Sequence, residues 1–155
     1  MSRIIKYVIP GPPIPWKRAG HANGTFYDQQ KHQKLGTSLY ISNWHANRVP
    51  FEGPLELTIV FYFPMPKSWR NKTKEMKFTP HYIKPDCDNA IKYVTDVATA
   101  ITYHDDCLIS ETHAYKTYDE VPRTEFTLSE IHIDDYKNRI KNIWEKYELY
   151  TKNNL

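Results

Sequence analysis

The chain has 155 residues, a formal net charge of +3 and a hydrophobic fraction of 40%. That length and balance fit one globular domain with one sizeable core. No apolar run approaches the ~20 residues of a membrane helix, and MSRIIKYVIP meets Pro10 too soon to be a signal peptide.

Residues Ile4 to Ile9 read as a strand, ended by Pro10-Gly11-Pro12-Pro13 and Pro15. A loop to about Phe26 carries Trp16, Lys17, Arg18 and His21. The spacing then predicts a helix from about Asp28 to Asn47. Leu35, Leu39 and Ala46 form its core face, with Tyr40 and Trp44 beside them. LELTIVFYF, from Leu55, is the clearest strand. Leu55, Leu57, Ile59, Phe61 and Phe63 share one face, and Val60 and Tyr62 make the other apolar too. That reads as a central strand covered on both sides. A short basic segment, Pro66 to Lys84, follows.

Pro85 disfavours helix at Lys84, and Asp86 is a good N-cap. A helix to about Tyr103 is expected. Its stripe is Ala90, Val94, Val97 and Ile101, joined by Ile91 and Ala98. Leu108 to Tyr118 and Thr124 to Ile133 read as strands pairing through a turn near Pro122. A final amphipathic helix starts near Asp134, with Tyr136, Ile140, Ile143, Trp144 and Tyr147 as its stripe. The element order implies an α+β fold, a mixed β-sheet with packed helices. Residues 1–150 form the single domain, and the end, 151–155, is expected to fray.

Five aspartates, Asp86, Asp88, Asp96, Asp105 and Asp106, stand close together in a mildly basic chain. Carboxylates repel one another, and a fold that gathers several usually needs a cation. Oxygen ligands without a Cys/His set point to Mg²⁺, with Mn²⁺ as a substitute. In a helix Asp88, Lys92 and Asp96 form one polar stripe. Singly, each acid also has an ordinary role: Asp86 as cap, Asp88 and Asp96 as partners of Lys92, Asp105-Asp106 as a solvated turn. Spacing alone does not bring Asp106 to Asp86 and Asp88. The following strand, or a second subunit, must do that. The neighbouring bases tilt the reading. Lys67, Arg70, Lys72, Lys74, Lys77 and Lys84 stand against one acid, Glu75. A basic run leading into a metal-type acid cluster suits a phosphodiester nuclease.

Cys87 and Cys107 make no disulfide framework, and free thiols favour the cytoplasm. Both read as small buried hydrophobes. A zinc site from Cys87, Cys107, His104 and His113 lacks the usual ligand spacing.

Lys84-Pro85-Asp86-x-Asp88-Asn89, then Lys92, Asp96 and Asp105-Asp106, resembles the RusA family of Holliday-junction resolvases. Pro66-Lys67-Ser68-Trp69 resembles phage and prophage members from Gram-positive bacteria. Pro10-Gly11-Pro12-Pro13-Ile14-Pro15 and Arg18 also fit. The resemblance implies a RusA-like fold, with the last helix as an addition. It implies a homodimeric, Mg²⁺-dependent endodeoxyribonuclease that nicks four-way DNA junctions in pairs during recombination and repair. By the same resemblance Asp86, Asp88 and Asp106 bind metal and Lys92 is catalytic. Asn89, Asp96 and Asp105 support them. Lys17, Arg18, Lys67, Arg70, Lys72, Lys74, Lys77 and Lys84 hold DNA. Cys87 departs from the branched aliphatic residue common in the family. A flap- or fork-directed nuclease would carry the same acids. A branched-DNA-binding protein with a decayed site would be expected to have lost some of them.

Overall fold

The computed structural model describes residues 2–153. In chain order the elements are β1 (Ile4–Pro10), β2 (Gly20–Ala22), β3 (Thr25–Tyr27), α1 (Lys31–His45), β4 (Leu55–Pro64) and α2 (Thr73–Met76). They continue with α3 (Cys87–Ala98), β5 (Ile109–Asp119), β6 (Arg123–Glu130), α4 (Ile133–Asn142) and α5 (Glu145–Asn153). The main sheet has the order β1-β6-β4-β5. β6 is antiparallel to both β1 and β4, whereas β5 is parallel to β4. The fold is therefore α+β around a mixed sheet, as expected.

β4 is the spine. Its odd positions Leu55, Leu57, Ile59, Phe61 and Phe63 are all buried. Burying one such side chain stabilises the fold by about 1.5–3 kcal/mol. Tyr7, Phe126 and Leu128 continue this face across the sheet, and Ile41, Ala90, Tyr93, Val94 and Val97 close over it from α1 and α3. The even positions of β4 are only half-buried. The expectation of cover on both sides is thus corrected. Cover there is partial: α4 sends Arg139 over Glu56 at one end, and at the other the Arg123 guanidinium lies 3.7 Å from the Tyr62 ring centre, with Phe78 meeting that ring edge-on.

Four other expectations change. β5 and β6 do not pair with each other, because β4 stands between them. Pro64 pairs with Asp119 and Tyr62 with Arg123, so Glu120, Val121 and Pro122 step across the end of β4. In α1 the inward residues are Thr37, Ile41 and His45, while Leu35, Leu39, Tyr40, Trp44 and Ala46 are exposed. The inward polar groups find partners, except His45 Nε2, which is buried without one among the described residues. Tyr7 Oη pairs with His45 Nδ1 at 2.8 Å, and Thr37 Oγ1 with Tyr93 Oη at 3.0 Å. Polar side chains with buried partners occupy the core face, and the apolar row is left outside.

α3 ends at Ala98 rather than near Tyr103. Thr99 is extended and Ala100 takes a left-handed φ of 67°, which stops helical propagation. The C-terminal helix is two helices, α4 and α5, broken at Ile143-Trp144. Its stripe is not core, since Ile140, Ile143, Trp144 and Tyr147 are exposed. Of the expected tail, 151–153 belong to α5, and 154–155 lie outside the described residues. No helix among the described residues is long and apolar enough to cross a membrane.

Two buried histidines make stability pH-dependent. His81 stacks on Phe63 at 3.8 Å, and burial, with Lys116 adding, holds its imidazole below the ordinary 6.5. Burial likewise depresses His45. A depressed folded value means that the unfolded chain takes up protons first as pH falls. Stability is therefore complete above about 6.5 and declines below it. Denaturant midpoints measured from pH 7 to pH 5 should fall, and fall less in His81→Phe. A flat profile in the parent chain would contradict this.

Candidate active site

The site is organised by the β4–α3–β5 crossover. Because β4 and β5 are parallel, the connecting helix must run back antiparallel to both. The segment before α3 is tied to the far end of β5. Phe78 N donates to Tyr118 O at 2.9 Å, and His81 N to Lys116 O at 3.0 Å. The Lys116 ammonium then donates to Ile83 O at 2.7 Å and Pro85 O at 2.5 Å. The Lys84–Pro85 peptide is cis. These contacts fix the head of α3, where Asp86 is the N-cap residue and Asp88 lies in the first turn.

Asp86 makes no side-chain capping bond. Both acids are exposed, and neither forms an ion pair with the described residues. Lys92 follows on the same stripe. Its ammonium stands 3.3 Å from Asp96 Oδ1 and 5.1 Å from the Trp16 ring centre. Trp16 is itself held to the helix, its N–H donating to Asn89 O at 2.8 Å.

Asp106 stands elsewhere. It opens a 3₁₀ turn, Asp106–Leu108, directly ahead of β5. The 12 residues of α3 span about 18 Å, and the acids at its head are on one side of that span with Asp106 on the other. Asp106 shares its end with Asp96. Burial raises the phenol pKa of Tyr103, and the charges of Asp106 and Asp96 raise it further. Asp105 accepts Cys107 N–H at 2.8 Å, which holds its carboxyl below the usual range. Within one chain, then, the structure groups Asp86 with Asp88 and Asp106 with Asp96, but does not bring the two groups together.

The bases are placed more uniformly. Lys17, Arg18, Lys67, Arg70, Lys72, Lys74, Lys77 and Lys84 are all exposed. Lys77 is committed to a partner, 3.3 Å from buried Asp119. Trp69 and His81, from the same segment, pack on Tyr118 at 4.8 Å each. The expectation of two buried thiols is corrected: Cys87 is half-buried and Cys107 exposed, because Cys107 sits in the exposed turn before β5.

Two groups have no local signal in the sequence. Lys116 is one, since only strand pairing shows that it reaches the head of α3. The other is Glu56, Glu111 and His113, whose ligand atoms all lie within 4.8 Å of one another. It is the only such cluster of three His, Cys, Asp or Glu side chains among the described residues. β4–β5 pairing joins it, on the face away from α3. Its charges are already engaged. Arg139 of α4 donates to Glu111 at 2.7 Å and approaches Glu56 at 3.5 Å, while His113 lies 2.9 Å from Glu111.

Unpaired carboxylates beside a lysine and a field of exposed bases suit the cleavage of a phosphodiester backbone. Residues 10–129 match the family model described as Endodeoxyribonuclease RusA, and the chain belongs to that family of endodeoxyribonucleases. It is also similar to a protein of Bacillus subtilis (strain 168) described as "Uncharacterized protein YqaN". The two are 28% identical over 138 residues, covering 82% of this chain and 96% of the other.

Replacing Lys116 by Met keeps the aliphatic stem and removes both carbonyl contacts. A bond from a charged donor is worth about 1.5–3 kcal/mol; one of the two here is exposed and the other part-buried, so losing both should cost at least the worth of one. The amides of residues 82–84 and 86 should exchange faster with solvent. Unaltered unfolding and unaltered exchange would refute the anchoring role.

Proposed function

We propose that the protein is a divalent-metal-dependent endonuclease that resolves four-way DNA junctions by paired nicks, in recombination and repair. In this reading it acts as a homodimer. Each site draws Asp86 and Asp88 from one copy and Asp106 from the other. The observation that carries the reading is the split of the acids between the two ends of α3, with Asp86, Asp88 and Asp106 exposed and without an ion pair among the described residues. A two-fold axis that ran α3 against its own copy would set the head of one helix beside the foot of the other. The exposed apolar row of α1, Leu35, Leu39, Tyr40 and Trp44, supports a second copy as its cover.

The donor set fits a hard cation. Three exposed carboxylates with no cationic partner among the described residues offer oxygen ligands only, the preference of Mg²⁺ or Mn²⁺. When bound, such an ion supplies an activated water and neutralises charge on the phosphate. The chain's own residues do the rest. Lys92, steered by Asp96 and Trp16, reaches a phosphate oxygen and stabilises the charge that develops there. Asp105 caps the turn that presents Asp106. Asn89, through its carbonyl, holds Trp16 against the helix. Lys67, Arg70, Lys72, Lys74 and Lys84 follow the backbone phosphates, with Lys17 and Arg18 on the other flank. Lys77 belongs less to DNA than to Asp119. The compartment we assign is the cytoplasm, where DNA and reduced thiols coexist.

Four-way, flap and linear duplex substrates, each with and without Mg²⁺, separate junction resolution from flap or fork cleavage. Asp88→Asn should still bind the junction and lose nicking. The arrangement across two copies makes a sharper prediction. Mixing Asp88→Asn with Asp106→Asn yields mixed dimers with one intact site, so single-strand nicking should return although each variant alone is inactive. Mixed dimers that form and stay inactive would exclude the shared site. Full activity of Asp88→Asn would exclude the site altogether.

A further inference from the structure

The segment between β1 and α1 builds a second feature beside Lys92. β2 and β3 form a hairpin whose turn, Asn23-Gly24, has φ values of 50° and 75°. Two consecutive positive φ angles make the tight turn that matches strand twist. The Tyr27 ring closes on Gly20: a Cβ there would sit 2.5 Å from Tyr27 Cζ. Both flanks are tied down. Buried Gln30 accepts Lys17 N–H at 2.7 Å and donates to Pro15 O at 2.9 Å, while Trp16 is bonded to α3.

This anchored segment displays aromatic rings rather than burying them. Phe26 is 75% exposed, with His21 tilted against it at 4.9 Å. Between hairpin and loop is an open cavity of about 270 Å³, lined by Trp16, Lys17, Phe26, Tyr27, Asp28 and Lys34. That is room for about nine waters at ~30 Å³ each, the size class of one heteroaromatic base. Lys34 and Gln30 N–H fix the Asp28 carboxylate at 2.9 and 2.8 Å, which leaves its remaining lone pairs as acceptors at the wall. Trp16 lines this cavity and its ring neighbours Lys92, so one residue adjoins both cavity and candidate site.

We propose that this cavity receives an unstacked nucleobase from the branch point of the DNA. The inference rests on the junction-nuclease reading. Three rings supply stacking surface that any base can use. Lys17 and the adjacent Arg18 supply charge for the flanking phosphates. Asp28 can accept from an exocyclic amine. A continuous duplex keeps its bases stacked and offers nothing to this cavity, so the cavity discriminates branched from linear DNA.

The test uses the full chain, without divalent metal, on a four-way junction carrying 2-aminopurine at the branch point. Binding should change the 2-aminopurine emission. It should not do so when the same base sits inside a duplex arm. Phe26→Ala should abolish that change and weaken junction binding by about tenfold to a hundredfold, with duplex binding unaltered. Phe26→Tyr should restore both. Phe26 is exposed, so circular dichroism should report an intact fold. Equal weakening on duplex and junction, or no emission change in the parent chain, would overturn the proposal. If Phe26→Ala matches the parent while the parent still nicks junctions in Mg²⁺, only the base cavity falls. Absence of any junction nicking by the parent would remove the reading beneath it.

Discussion

Parallel pairing of β4 with β5 is the constraint from which the rest follows. Two parallel neighbours cannot be joined by a tight turn. The chain must leave the end of β4, cross one face of the sheet and re-enter at the foot of β5. α3 is that crossing, and its direction is not free. The acid-bearing head therefore lies beside the end of β5, and the Asp105-Asp106 turn lies at its foot. One set of carboxylates thus stands at each end of the crossover, which is what the proposed pairing of two copies rests on. The charge pattern agrees. Asp119, Glu125 and Asp28 each have a basic partner within 3.3 Å, while Asp86, Asp88 and Asp106 have none among the described residues.

Much of this frame is legible in the residues alone. The alternation from Leu55 to Phe63 announces β4, and a proline followed by Asp86 and a helical apolar stripe announces α3. What stays hidden depends on contacts between distant positions. The inward face of α1 is Thr37, Ile41 and His45. Nothing local marks Thr37 as inward, because its partner Tyr93 comes much later in the chain. The adjacency of β5 to β4 rather than β6 is of the same kind, since only the return through α3 creates it. The β2–β3 hairpin is a different case. Asn23-Gly24 is a strong turn signal, but strands of three residues with exposed side chains carry no periodicity to accompany it.

Function divides along the same line. The acids and Lys92 are visible as a motif because one helix and the turn after it hold them all. Lys116, which holds the head of that helix through two carbonyl oxygens, is invisible until β5 is placed. Trp16 reads as one more aromatic until its N–H is found on Asn89 and its ring beside Lys92. The residues that position the motif are thus harder to find than the motif itself. Their signal is a distance, and a sequence does not print distances.

β5 is the last strand of the sheet, and its outer margin is shielded only in part. Residues 78–81 run along its C-terminal half, but on that margin the stretch from Ser110 to Tyr115 has no strand among the described residues. Such a margin invites other polypeptides to add themselves, strand upon strand. Here the approach is guarded by charge. Glu111 and His113 set ionisable groups on the face of this strand beneath Arg139, and Tyr136 reaches over to the Ser110 carbonyl at 3.4 Å. Charged side chains on an edge strand disfavour such addition, and the ionic knot beneath α4, remote from the acids of α3, sets them on this one.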